Sequence, residues 1–122
     1  MDSSRLKVEA YKDVLYIEKR MNDEFTLHDL DSIREEIRKN FSYPIDVICK
    51  KQGSYSVSLG AQAVARHGID EFRNFVYVVD SKLKMQSASY AALSYMKLYK
   101  TQVSKSKADA YKKLKKLSGS VE

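Results

Sequence analysis

Between Asn74 and Asp80 the chain carries Phe75-Val-Tyr-Val-Val79, an unbroken run rich in β-branched and aromatic residues. A strand with one wet face alternates apolar and polar residues, whereas a strand covered on both faces has no polar side to show. The run therefore predicts a central strand between two helical layers. The remaining sequence has to supply those layers.

Upstream, Arg5 to Ala10 sets Leu6, Val8 and Ala10 against Arg5, Lys7 and Glu9, the pattern of a half-buried strand. Tyr11-Lys12-Asp13 turns the chain and Val14 to Glu18 gives a second strand. So short a connection predicts an antiparallel hairpin. Lys19 to Phe25 reads as a loop. Thr26 with Asp29 three residues on is a helix N-terminus signal, and Leu27, Leu30, Ile33, Ile37 and Phe41 follow on one helical face. Glu35 and Lys39 pair on the other side. Pro44 closes the helix unit, and Ile45 to Cys49 is a third strand.

A second helix carries Leu59, Ala61, Val64 and Ala65 and ends at Gly68, with Arg66 and His67 suited to its last turn. After the central strand, Ser81 caps a third helix through Met85, Ala88, Ala92, Leu93 and Met96. Leu98 to Val103 reads as the last strand. Ser104 or Ser106 then caps a final helix with Ala108, Tyr111, Leu114 and Leu117 on its apolar face. The order β-β-α-β-α-β-α-β-α predicts an α/β fold: a mixed, mainly parallel sheet with flanking helices. At 122 residues it reads as a single domain spanning 1–122, frayed at 118–122.

A hydrophobic fraction of 43% with 31% charged residues is that of a folded chain, not a disordered one. One cysteine, Cys49, excludes an intrachain disulfide and fits a cytoplasmic location. No run is long enough for a membrane span. The net charge of +6 is local, because Lys105 to Lys116 holds six lysines against one acid, Asp109. Lys112, Lys113, Lys115 and Lys116 are thus candidate polyanion contacts. Lysines at a helix C-terminus also match the helix dipole, so a solvated basic face is the simpler reading and nucleic acid ranks last among partners.

With its elements in this order the chain resembles the SpoIIAA-like superfamily, the STAS domains and their relatives of the CRAL-TRIO lipid-transfer fold. The likeness rests on the hairpin Leu6–Glu18, the helix Leu27–Phe41 and the strand Ile45–Cys49, and is sharpest from Arg66 to Asp80. The resemblance implies a non-catalytic regulatory or protein-interaction module, with a protein partner. In STAS modules a serine at the start of the helix after the third strand is phosphorylated, usually after an Asp and before Ser-Gly. Here that loop offers Ser54, Ser56 and Ser58, with Tyr55 as a docking side chain. Ser58-Leu59-Gly60 is the nearest likeness, and Val57 stands where the pattern has an acid. The other relatives imply an apolar small molecule or lipid in a cleft beside the central strand.

Site chemistry beyond that is sparse. His28 and His67 lack companions at ligand spacing, so no metal is expected. No phosphate-binding glycine loop or nucleophile elbow occurs, so neither a cofactor nor an enzyme is expected. Asp80 and Ser81 lie at the carboxyl end of the central strand, where open α/β sheets bind ligands, and mark a candidate cleft. Lys50 and Lys51 beside the serine loop could hold a phosphate. The sequence leaves a homodimer open.

Overall fold

The computed structural model describes residues 4–20, 24–51, 56–79, 96 and 100–117. Strands β1 (Leu6–Tyr11) and β2 (Val14–Lys19) pair antiparallel with Tyr11 opposite Val14. Only Lys12 and Asp13 are left as the turn, a residue shorter than the expected Tyr11–Asp13, and Lys12 takes a left-handed backbone at φ 57°. Tyr11 stays in the strand because its ring has a partner there: it meets Tyr111 edge-on at 6.0 Å between centroids. Leu6 and Val8 are buried as the alternation predicts, while Ala10 is exposed near the turn. All of β2 is buried, and Lys19 closes that strand instead of opening the expected loop.

Helix α1 (Leu27–Asn40) begins where the sequence places it. The Asp29 amide donates to Thr26 Oγ1 (3.1 Å) and the Thr26 amide donates to Asp29 Oδ2 (2.9 Å), so two orphan donors are met reciprocally. Leu30, Ile33 and Ile37 turn inward, and Glu35 and Lys39 pair at 2.8 Å in solvent. Strand β3 (Ile45–Lys51) follows, then α2 (Leu59–His67), which ends at Gly68 with φ 114°, a conformation that suits glycine. Strand β4 (Phe72–Val78) contains most of the apolar run, and β5 (Lys100–Ser104) and α3 (Lys107–Leu117) complete the described elements. The helix expected from Ser81 lies outside the described residues except for Met96, which is buried in the core. The last strand starts within the expected Leu98–Val103 and runs one residue beyond it.

The sheet order is β1-β2-β3-β4-β5, with the β1–β2 pair antiparallel and every other pair parallel. β4 therefore has neighbours on both sides, and Phe75 to Val79 are all buried. Its side chains alternate between two cores. On one face α1 and α2 bring Leu30, Ile33, Ile37, Ala61 and Ala65 to Phe75, Tyr77 and their neighbours. On the other, α3 lays Ala110 and Leu114 over Val14, Tyr16, Ile48, Val76 and Val78. The expected apolar position Ala108 is exposed. Ser106 caps the helix, its Oγ accepting from the Asp109 amide at 3.1 Å, and this phase turns Ala110 inward instead.

Three buried carboxylates are held by arginines. Asp46, with no exposure, accepts from Arg73 Nε (2.9 Å) and Nη2 (3.1 Å) and from the Asn74 side chain (3.0 Å). Glu71 accepts from Arg34 (2.6 Å) and Arg38 (2.9 Å), which ties α1 to the start of β4. Asp29 takes Arg5 bidentately, at 3.0 and 2.8 Å, which ties α1 to the start of β1.

Candidate functional site

Parallel strands β2 to β5 all end at one edge of the sheet, and every described helix starts from that edge. α1 and α2 leave it on one face and α3 on the other. In open α/β sheets this carboxyl edge is where ligands bind, because loops and helix starts converge there.

At the start of α2 the backbone is fixed on both sides. The Phe25 amide donates to the Ser56 carbonyl (2.7 Å) and the Ser58 amide to the Phe25 carbonyl (2.9 Å), which makes an isolated parallel bridge between Phe25 and Val57. Ser58 Oγ caps α2 by accepting from the Ala61 amide at 3.1 Å. Gln62 Nε2 donates back to the Val57 carbonyl (2.9 Å). Ser56 is exposed and Ser58 half-buried. Of the other expected loop residues, Ser54 and Tyr55 lie outside the described residues.

Leu59, expected on the apolar face of the helix, is instead 80% exposed. The cap sets the phase of α2 so that Ala61 and Ala65 face the sheet, and Leu59 then points outward. Leu27, 39% exposed, stands at the start of α1. A Cβ on Gly60 would meet Leu27 Cβ at 3.7 Å, so the two helix starts lie close together. Leu27 and Leu59 are thus two exposed leucines at adjoining helix starts.

Between α1, α2 and the sheet is a cavity of about 60 Å³ lined by Phe25, Cys49, Val57, Phe75, Tyr77 and other apolar side chains. This is the cleft beside β4 that the resemblance implies for an apolar ligand. Drug-sized ligand sites enclose about 300–1,000 Å³, and the cavity among the described residues is smaller than that. Cys49 is buried in its wall, as a small hydrophobe would be. Asp80 and Ser81, the expected cleft residues, lie outside the described residues.

Of the four expected polyanion lysines, two make contacts within the chain. Lys113 Nζ donates to the Val103 carbonyl at 2.7 Å and lies 3.5 Å from Asp109 Oδ2. Lys115 is hydrogen-bonded to Asp13 in the β1–β2 turn. Lys112 and Lys116 are exposed. The apparent basic face is thus half occupied with holding α3 to the sheet. His28 and His67 are exposed on separate helices, and among the described residues no cluster of His, Cys, Asp or Glu could hold a metal ion.

Sequence reading missed a second hollow at the same edge, on the α3 side, where Lys50, Lys105 and Lys107 gather. Lys50 stood out only beside the serine loop, and Lys105 and Lys107 only as members of a charge run. The signal that joins them is the alternation along β3, which puts Lys50 on the face of Ile48. That face is the one α3 covers.

The structure is similar to a solved structure from Shewanella loihica PV-4, described as an uncharacterized protein from the DUF3478 family with a SpoIIAA-like fold. The two share 17% sequence identity over 89% of this chain and 91% of that chain, with a TM-score of 0.56. No protein-family model and no curated protein matches the sequence. The chain is thus of the SpoIIAA-like fold class, an α/β protein with a five-stranded mixed sheet. No helix among the described residues is long and apolar enough to cross a membrane.

Proposed function

We propose that the chain is a non-catalytic protein-interaction module that docks a partner protein at the start of α2. The observation that carries this reading is Leu59, 80% exposed directly after a well-made helix cap, with the exposed Leu27 at the adjoining start of α1. An isolated exposed leucine means little, but two on a backbone fixed by the Phe25 bridge offer a rigid apolar contact with hydrogen-bonding groups around it. The SpoIIAA-like fold supports the same position, since related modules are read at the start of this helix. Ser56, exposed at its rim, is where a regulatory phosphate would add about −1.5 to −2 charges and oppose apolar docking.

The test uses immobilised full chain. Leu59→Asp and Leu27→Asp proteins should melt within about 2 °C of wild type, as exposed substitutions do, yet lose the proteins that wild type captures. Ser56→Asp should weaken the same capture. If the leucine variants recover the same set as wild type, the start of α2 is a connector and the interaction reading fails.

A further inference from the structure

The lysine hollow lies on the opposite face from the proposed docking spot and stands independently of it. It is a cavity of about 220 Å³ walled by Lys50, Lys105, Ser106 and Lys107, with Tyr16 and Val78 among its lining. Strand register explains why it is there. Tyr16, Ile48 and Val76 form one row across β2, β3 and β4, and Glu18, Lys50 and Val78 form the next row toward the carboxyl edge. α3 begins at Lys107 and packs on the first row and on Val78, and the hollow lies at the foot of the helix, where Lys50 of the second row is half-buried. The connection from β5 into α3 adds Lys105 and Lys107 from above.

Three ammonium groups around one hollow repel each other unless something negative sits between them. Among the described residues little that is negative faces it. Glu18 is next to Lys50 in register, but its carboxylate accepts from the Tyr16 hydroxyl (2.8 Å) and faces Arg20 at 3.7 Å. Glu9 lies 3.8 Å from Lys107, whose ammonium rests over the rings of Tyr16 (3.9 Å) and Tyr11 (4.3 Å). Among the described residues Lys50 and Lys105 have no ion-pair partner. Ser106 Oγ accepts from Asp109, which leaves its hydroxyl proton to donate. The Tyr16 ring and Val78 give the hollow an apolar side.

From this arrangement we infer that the hollow binds a small organic phosphate, a phosphomonoester with a body of a few carbons. The dianion lies between Lys50 and Lys105, with Lys107 and the Ser106 hydroxyl at its rim, and the body lies against Val78 and Tyr16. The volume equals that of about seven waters, enough for a phosphate with a three-carbon body and short of a nucleotide. The position is the carboxyl edge of parallel strands, where such ligands bind in open sheets.

Glycerol 3-phosphate is the probe, titrated into the full chain with backbone amides followed by NMR. Wild type should saturate at one site, with the Val78, Ser106 and Lys107 amides shifting together. The Lys50→Gln/Lys105→Gln protein should bind at least about tenfold more weakly, and the Lys112→Gln/Lys116→Gln protein within about twofold of wild type. Thermal melting at the wild-type temperature shows that each variant is folded. Absence of saturation up to about 10 mM overturns the proposal, and so does equal weakening by both double variants, which is diffuse charge attraction. A single-stranded oligonucleotide that displaces the probe and depends on the same lysines more strongly also overturns it, in favour of nucleic acid.

Discussion

Glu71 is a buried carboxylate whose charge is sustained by two arginines from another element. Burial alone would raise its pKa, but the hydrogen bonds from Arg34 and Arg38 outweigh burial and hold the carboxyl below its ordinary range. The folded value is therefore the lower one. Its stabilisation is whole above the unfolded value of about 4.3 and is lost as pH falls through the lowered folded value. The Glu71→Gln protein should melt lower than wild type at pH 7 and show a shallower loss of Tm between about pH 5 and 3. Equal slopes in that window would mean that the Glu71 cluster is not what acid disrupts. Asp29 was legible in the sequence because its cap partner, Thr26, is three residues away. Glu71 and Asp46 were not, because Arg34 lies 37 positions from one and Arg73 27 positions from the other. Local spacing carries no trace of such pairs until the strands are in register.

Among the elements, β4 was the most legible, since a strand buried on both faces has nowhere to place a polar residue. Its two inward-facing valines on the α3 side nonetheless differ. Both pack under Ala110 and Leu114, but Val76 has no exposure, whereas Val78 also lines the lysine hollow. A buried unpaired carboxylate costs several kcal/mol, comparable with the whole stability of a small domain. Val76→Asp should accordingly abolish cooperative melting. Val78→Asp, beside Lys50 and Lys105, should still melt cooperatively and only a few degrees lower. Loss of the transition in both, checked by circular dichroism, would show that the lysines do not reach Val78. The three described helices were legible in existence and less so in phase. Ala108 and Leu59 look inward by spacing and point outward, because the serine that caps each helix sets its rotation and two serines compete for the role before α3.

At the scale of the molecule, net charge is a poor guide to partners when part of it is consumed internally. Of the four lysines expected to meet a polyanion, Lys113 and Lys115 are bound to Val103 and Asp13. Only two are left for phosphates, so changing all four to glutamine should alter the log affinity against log salt slope for duplex DNA by about 1.8 and not about 3.6. Fluorescence anisotropy across a salt series reads that difference, and the larger change would mean that the internal bonds break on binding. The same strapping of α3 to the hairpin bears on how the chain is made. β2 ends at Lys19 and α3, the last described element, starts at Lys107, about 90 residues later and roughly 5–18 s later at ribosomal speeds. Until α3 is made, Val14 and Tyr16 lack its cover, and so do Ile48 and Val76 once they are synthesised. A chain cut before Lys107 would keep that apolar face without α3, so it should be more prone to aggregate than the full chain, as light scattering would read.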